Sequence, residues 1–156
     1  MPHQLEVSRQ IQAPIADVFA RLADFPNAAD TISAITEVEM LTPGPVGEGT
    51  RFRETRVMYR REATEEMEVI RFEPPHGYTL HAENHGTRYL SAFILEERDG
   101  GTHVRMTFEA TPLTLLSKIM SALMKPMMKA LAREVTNDLA DVAKSLENGA
   151  GTEDEG

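Results

Sequence analysis

An arginine flanked by carboxylates is the strongest candidate for chemistry in this 156-residue sequence. Glu54 and Arg56 are alternate residues of a predicted strand, and a hairpin that turns around Arg60 and Arg61 places Glu65 opposite Arg56. Because a buried charge without a partner is costly, one interpretation is an internal ion-pair network. The other is a polar anchor that directs a ligand's carbonyl, hydroxyl or carboxylate among apolar walls.

Further polar residues are predicted near this arginine. The same strand registers place Asn84, Tyr89 and Ser91 on the inward face. Ser91 has no inward histidine beside it, so the sequence does not indicate a nucleophilic triad. Asp138 lies near the apolar stripe of a predicted helix, where it is either a second anchor or a carboxylate at the rim.

The histidines and glycines do not indicate a metal or phosphate site. His81 and His85 are four strand residues apart, roughly 13 Å, so one ion cannot bridge them. We expect them, with Glu83, to face solvent. No thiolate site or disulfide can form, since the chain has no cysteine. Gly47 and Gly49 precede a strand and not a helix, which favours turn chemistry over a phosphate loop. We therefore expect no metal and no cofactor.

Periodicity predicts the elements that position these residues. Residues 5–11 alternate apolar and polar side chains, as a half-buried strand does. Pro14 suits the first turn of a helix that reaches Asp24, and a second short helix is predicted from Pro26 to Ile32. From Ala34 to Phe108 five or six antiparallel strands follow one another, separated by turns rich in glycine and proline.

A long helix is predicted to complete the domain. Thr111 is a suitable N-cap, Pro112 suits the first helical position, and apolar residues then recur at steps of three or four. Pro126 should bend or break this helix. We predict one domain at residues 1–147 and a disordered tail, acidic and rich in glycine, at 148–156.

This order of elements predicts an α+β fold, in which a curved antiparallel sheet wraps around the C-terminal helix and two short helices follow strand 1. The helix is rich in methionine, which makes an adaptable wall. The predicted ligand-binding residues are Phe52, Glu54, Arg56, Glu65, Met67, Tyr78, Asn84, Tyr89, Ser91, Phe93, Met106 and Phe108 of the sheet, with Met120, Leu123, Met127 and Leu131 of the helix.

Composition excludes several classes of protein. The chain is 41% apolar and 26% charged, which excludes intrinsic disorder, and its net charge of −9 argues against a nucleic-acid partner. No apolar stretch is long enough to cross a membrane, so stable insertion is not expected. The first twenty residues do not resemble a signal peptide, so we expect a cytoplasmic protein. Nothing in the sequence indicates the oligomeric state.

Several segments together resemble the START-like helix-grip superfamily, also called SRPBCC, and within it the polyketide cyclase/dehydrase group. They are residues 7–14 followed by Val18-Phe19, the Gly47–Phe52 and Gly100–Val104 segments, and the long terminal helix. The resemblance covers roughly residues 3–147. It implies a helix-grip fold with a deep apolar cavity between sheet and helix that takes a lipid, sterol, polyketide or aromatic molecule.

Three hypotheses for function remain open. The first is a carrier or sensor of a small hydrophobic molecule. The second is a cyclase/dehydratase-type enzyme in which Glu54 or Glu65 is the general base and Arg56 or Tyr89 stabilises an enolate oxygen, although no complete catalytic constellation is present. The third is membrane-lipid transfer or protein interaction through the basic face of the terminal helix. The basic residues are Lys118, Lys125, Lys129 and Arg133.

Overall fold

The computed structural model describes residues 3–58, 60–120 and 124–155. The strands are β1 (His3–Ile11), β2 (Ile35–Met40), β3 (Arg51–Met58), β4 (Arg61–Glu73), β5 (Gly77–Asn84), β6 (Thr87–Arg98) and β7 (Gly101–Pro112). The helices are α1 (Ile15–Leu22), α2 (Ala28–Thr31), α3 (Leu115–Met120) and α4 (Met124–Glu155), with a 3-10 turn at Phe25–Asn27.

The seven strands form one antiparallel sheet in the order β1-β7-β6-β5-β4-β3-β2. The strands from β2 to β7 form a meander, and β7, the last of them, pairs with β1, the first strand of the chain. The predicted architecture is confirmed: a curved antiparallel sheet, short helices after the first strand, and a long C-terminal helix. None of the described helices combines the length and apolar character that a membrane-spanning helix needs.

The core lies between the concave face of the sheet and α4. Three apolar residues of α4 recur at steps of four and three and are buried in this core: Val135, Leu139 and Val142. Burial of one such side chain, as at Leu139, contributes about 1.5–3 kcal/mol to folding. Polar contacts also hold α4, since Asp141 Oδ2 accepts from the Ser33 backbone N–H at 2.9 Å. The part of α4 from Val135 to Val142 is therefore fixed against the rest of the domain.

The predicted pairing of β3 with β4 is wrong by two residues. Arg56 pairs with Ala63, and Glu54 pairs with Glu65. The hairpin turns closer to β3 than predicted, with Arg60 in the left-handed region at φ 64°. Side chains alternate with a period of two, so the slip leaves every residue on its predicted face and changes only its partner across the hairpin.

The start of the C-terminal helix also differs from the prediction. Strand β7 continues through Pro112, and α3 begins at Leu115. Thr114 and Ser117 form a reciprocal cap, in which each backbone N–H donates to the other's hydroxyl at 3.1 Å. The Thr111-Pro112 pair resembles a helix start in sequence, but pairing with β6 keeps it in the sheet.

Two further expectations concern the rest of the helix. Pro126 is the third residue of α4, within the first turn, where a missing N–H removes no intrahelical bond. Residues 121–123, where a break would also fall, lie outside the described residues. Helix α4 continues to Glu155, past the end predicted at residue 147, since extending a helix needs no new nucleation. The single domain at 1–147 stays a prediction.

Candidate functional site

An ion-pair network joins the sheet to α4 at Arg56. Its Nε lies 2.8 Å from Glu54 Oε1, its Nη2 3.0 Å from Asp138 Oδ2, and its Nη1 3.6 Å from Glu134 Oε2. The Arg56 side chain is 17% exposed. Glu54 is a partner as predicted, but Glu65 is not, because the two-residue slip in register moves it away. The helix supplies Asp138 and Glu134 in its place.

Three carboxylates around one guanidinium leave an excess of negative charge. Burial raises the pKa of Asp138 to about 6; Arg56 lowers this pKa, while Glu54 and Glu134 raise it. Burial lowers the pKa of Arg56, but Glu54 and Asp138 outweigh this and hold it above its ordinary value. Asp138 Oδ1 is buried without a hydrogen-bond partner among the described residues. One acceptor on the concave face is therefore unused.

Tyr78 lies in the core near the same carboxylates. Burial is the main cause that raises the pKa of Tyr78, and the charges of Glu54 and Asp138 raise it further. The phenol therefore stays neutral. Its hydroxyl donates to the Leu22 carbonyl oxygen at 3.3 Å. Tyr78 thus acts here as a packed aromatic residue with a satisfied hydroxyl.

A second polar pair lies further along the concave face. Asn84 Nδ2 donates to Glu65 Oε1 at 3.0 Å. On the neighbouring strand Tyr89 stacks on Phe108 with ring centroids 5.8 Å apart. Burial and the charge of Glu65 raise the pKa of Tyr89. Ser91 pairs with Phe108 across β6 and β7. The polar residues of this second group, Glu65, Asn84, Tyr89 and Ser91, therefore lie towards one end of the concave face.

The predicted apolar wall divides into a packed part and a half-buried part. Phe52, Tyr78 and Met106 are buried in the core, where Phe52 stacks on Phe25 at 4.5 Å. The remaining sheet members are half-buried and pack against that core: Met67, Phe93 and Phe108. At the end that carries Tyr89 and Phe108 the concave face is only partly covered.

The helix contributes less to this wall than predicted. Leu131 is half-buried and packs against the core. Met127 is 63% exposed and Leu116, from the same predicted stripe, is 71% exposed. Between α3 and α4 the predicted stripe crosses residues 121–123, which lie outside the described residues. Leu123 and the side chain of Met120 lie outside the described residues.

Among the residues that the structure describes, no group of three or more histidine, aspartate or glutamate side chains is arranged so that it could hold a metal ion. His81 Nε2 lies 3.5 Å from the exposed Glu83 carboxylate.

Two shallow pockets, of about 190 and about 380 Å³, are lined mainly by polar side chains of β1, β6 and β7 and do not involve Arg56 or Asp138.

Glu134 was missed by the sequence analysis, which predicted Asp138 as either a second anchor or a carboxylate at the rim of the helix. Glu134 and Asp138 are four residues apart, which places both carboxylates on one face of a helix. That spacing, next to the apolar residues Val135 and Leu139, was the available signal.

The sheet and the terminal helix that packs on its concave face together define a helix-grip fold. The chain belongs to the family described as polyketide cyclase / dehydrase and lipid transport, whose family model matches residues 2–147. The predicted resemblance is thereby confirmed. No curated protein sequence matches the chain significantly.

Solved structures share this fold at low sequence identity. The TTHA0849 protein of Thermus thermophilus has a TM-score of 0.77 and 18% identity, over 94% of this chain and 99% of that one. The Zhui aromatase/cyclase of Streptomyces sp. R1128 has a TM-score of 0.77 and 17% identity, over 94% of each chain. The major latex-like protein 151 of Panax ginseng has a TM-score of 0.77 and 11% identity, over 93% of this chain and 97% of that one.

Proposed function

We propose that this protein binds a small hydrophobic molecule between the concave face of the sheet and the C-terminal helix, as a carrier or sensor. The observation that carries the proposal is the half-buried wall of Met67, Tyr89 and Phe108 on the face that also holds Arg56. Aromatic and thioether side chains left partly uncovered inside a fold provide the apolar surface that a ligand of this class needs.

The ion-pair network would orient the ligand. The Nη1 of Arg56 is its least closely paired nitrogen, 3.6 Å from Glu134, and is the donor available to a carbonyl. Asp138 Oδ1 is an acceptor without a partner among the described residues, suited to a hydroxyl. We therefore propose a ligand with an apolar body and at least one oxygen function that meets these groups.

Uptake of a fluorescent apolar probe, anilinonaphthalene sulfonate, tests this proposal. Tyr89 and Leu90 are consecutive half-buried residues of β6 whose side chains point to opposite faces of the sheet. We expect Tyr89→Ala to weaken probe binding by roughly ten-fold, as loss of buried aromatic contact does. The matched control Leu90→Ala should leave binding unchanged. Equal effects of both substitutions would place the probe elsewhere and contradict the proposal.

Enzymatic activity of the cyclase/dehydratase type is the second candidate, and Asp138 favours it. A carboxyl with a pKa near 6 is partly protonated close to neutral pH, which suits it to transfer a proton. For such a reaction we assign proton transfer to Asp138 rather than to Glu54 or Glu65. Asp138→Asn would then abolish turnover of a polyketide-like substrate while leaving probe binding within about two-fold of wild type. Unchanged turnover in this variant would eliminate the assignment.

The cytoplasmic location remains a prediction, which fractionation of the source cells would test.

A further inference from the structure

Exposed apolar side chains are concentrated around α3. Among the described residues eight large apolar side chains are exposed, and five of them lie between residues 113 and 127. The four most exposed are Leu115 at 76%, Leu116 at 71%, Ile119 at 65% and Met127 at 63%. Leu113, Leu115, Leu116 and Ile119 belong to α3 or directly precede it, and we call these four residues the α3 surface; Met127 lies in α4. A cluster of this kind marks an interaction site rather than ordinary scatter.

The fold holds the α3 surface in this orientation. Ser117 is buried, and its hydroxyl donates to the Gly86 carbonyl oxygen at 2.9 Å, while the Leu113 N–H donates to the same oxygen at 2.7 Å. Gly86 has φ 75°, and a Cβ there would lie 2.8 Å from Thr114 Oγ1. With Ser117 fixed against the β5–β6 turn, the leucines and isoleucine of α3 point away from the domain.

The charge around the α3 surface is opposite to that of the whole chain. Residues 110–133 contain four Lys or Arg and no Asp or Glu, in a chain of net charge −9. Lys118, Lys129 and Arg133 are exposed. An anionic surface would therefore attract this region and repel most of the remaining chain, which selects one orientation of approach.

We propose that the α3 surface docks the protein on a membrane that contains anionic lipid. Exposed leucine and isoleucine side chains, in a stretch of chain whose charged residues are all lysine or arginine, are the pattern of a segment that lies in the interface of a bilayer. Helix α3 has six residues, too few to span a bilayer, so its side chains would enter only the headgroup and upper acyl region. This docking proposal stands on exposure and charge alone and does not require the ligand proposed above.

Docking would also orient the concave face. The loop that holds α3 joins Asn84 to Thr87, and Asn84 and Tyr89 lie at the partly covered end of the sheet. A membrane held against α3 would therefore lie next to that end.

Cosedimentation of the 156-residue chain with vesicles tests the docking proposal. We expect binding to vesicles of phosphatidylcholine mixed with phosphatidylserine, little binding to phosphatidylcholine alone, and loss of binding as salt is raised. The double variant Leu116→Gln/Ile119→Gln should bind at least about ten-fold more weakly, and Lys129→Gln about five-fold more weakly. Ile70→Gln is the control, since Ile70 is an exposed apolar residue of β4 outside the α3 surface.

The outcomes separate the docking proposal from its competitors. Absence of vesicle binding, equal binding to both vesicle types, or equal binding by the double variant would each overturn it. If light scattering shows a dimer that the double variant dissociates, a second copy of the chain covers the surface, and the proposal is wrong. Probe uptake by the double variant should stay at the wild-type level, so failure of docking is distinguishable from failure of ligand binding.

Discussion

Replacing Arg56 with alanine would remove the guanidinium that three carboxylates share. The side chains of Arg56, Glu54, Asp138 and Glu134 are between 15% and 23% exposed, so water compensates little for the lost cation. Breaking a buried ion pair by removing one partner costs roughly 3–5 kcal/mol, and we expect about 3 kcal/mol here because the cluster is not fully buried.

Proton uptake limits this cost and makes it depend on pH. The pKa of Asp138 is already about 6, and loss of Arg56 would raise it further because Arg56 lowers it. At a pH above about 6, the pKa of Asp138 in the wild type, the variant must either bury an unpaired Asp138 carboxylate or bind a proton to neutralise it. The loss of stability should therefore be largest near about pH 8 and smaller near about pH 5.

Urea unfolding of Arg56→Ala and Arg53→Ala at both pH values measures this effect. Arg53 is on the same strand with its side chain on the opposite face, where it pairs with the exposed Glu39 at 2.9 Å. Surface pairs of this kind contribute little, so Arg53→Ala should change stability by less than about 0.5 kcal/mol at either pH. Equal, small changes in both variants would refute a structural role for the Arg56 network.

Two further predictions concern stability. The carboxyl of Asp138 has a folded pKa of about 6 against an ordinary value of 3.8, so its contribution to stability is fully present below about pH 4 and is lost as pH rises through about 6. In Asp138→Asn this decline, of up to about 3 kcal/mol, should disappear from the pH dependence of urea unfolding; a parallel decline in the variant would contradict the assignment. A Cβ at Gly77 would overlap the Phe93 backbone oxygen, so Gly77→Ala should lower the free energy of unfolding by about 2 kcal/mol or more. Gly47→Ala, with nothing within 4 Å of the added methyl, should change it by less than about 0.5 kcal/mol, and equal thermal melts would refute the steric argument.

The order of elements and the inward faces of the strands could be predicted from the sequence, because period-2 alternation and turn residues are local signals. The hairpin register could not, since a slip of two residues preserves every face. Whether Arg56 meets Glu65 or Ala63 depends on the turn at Arg60, and its φ of 64° is not apparent from the residue type.

Only part of the candidate site could be predicted from the sequence, because only part of it is set by local geometry. Arg56 and Glu54 belong to one strand, so their proximity follows from local geometry. Contact with Asp138 and Glu134 depends on how α4 lies across the sheet, which is a tertiary property. The exposure of Leu116 could not be predicted, because its spacing places it in an apolar helical stripe and the sequence does not show that β7 extends through Pro112 and that α3 begins at Leu115.

Native mass spectrometry of the protein purified from its own source tests the central claim most directly. We predict that the gently ionised chain carries a small hydrophobic molecule, that denaturation releases it, and that Tyr89→Ala retains less of it than Leu90→Ala. A chain that shows only its own mass, and that also takes up no apolar probe in solution, would contradict ligand binding on the concave face.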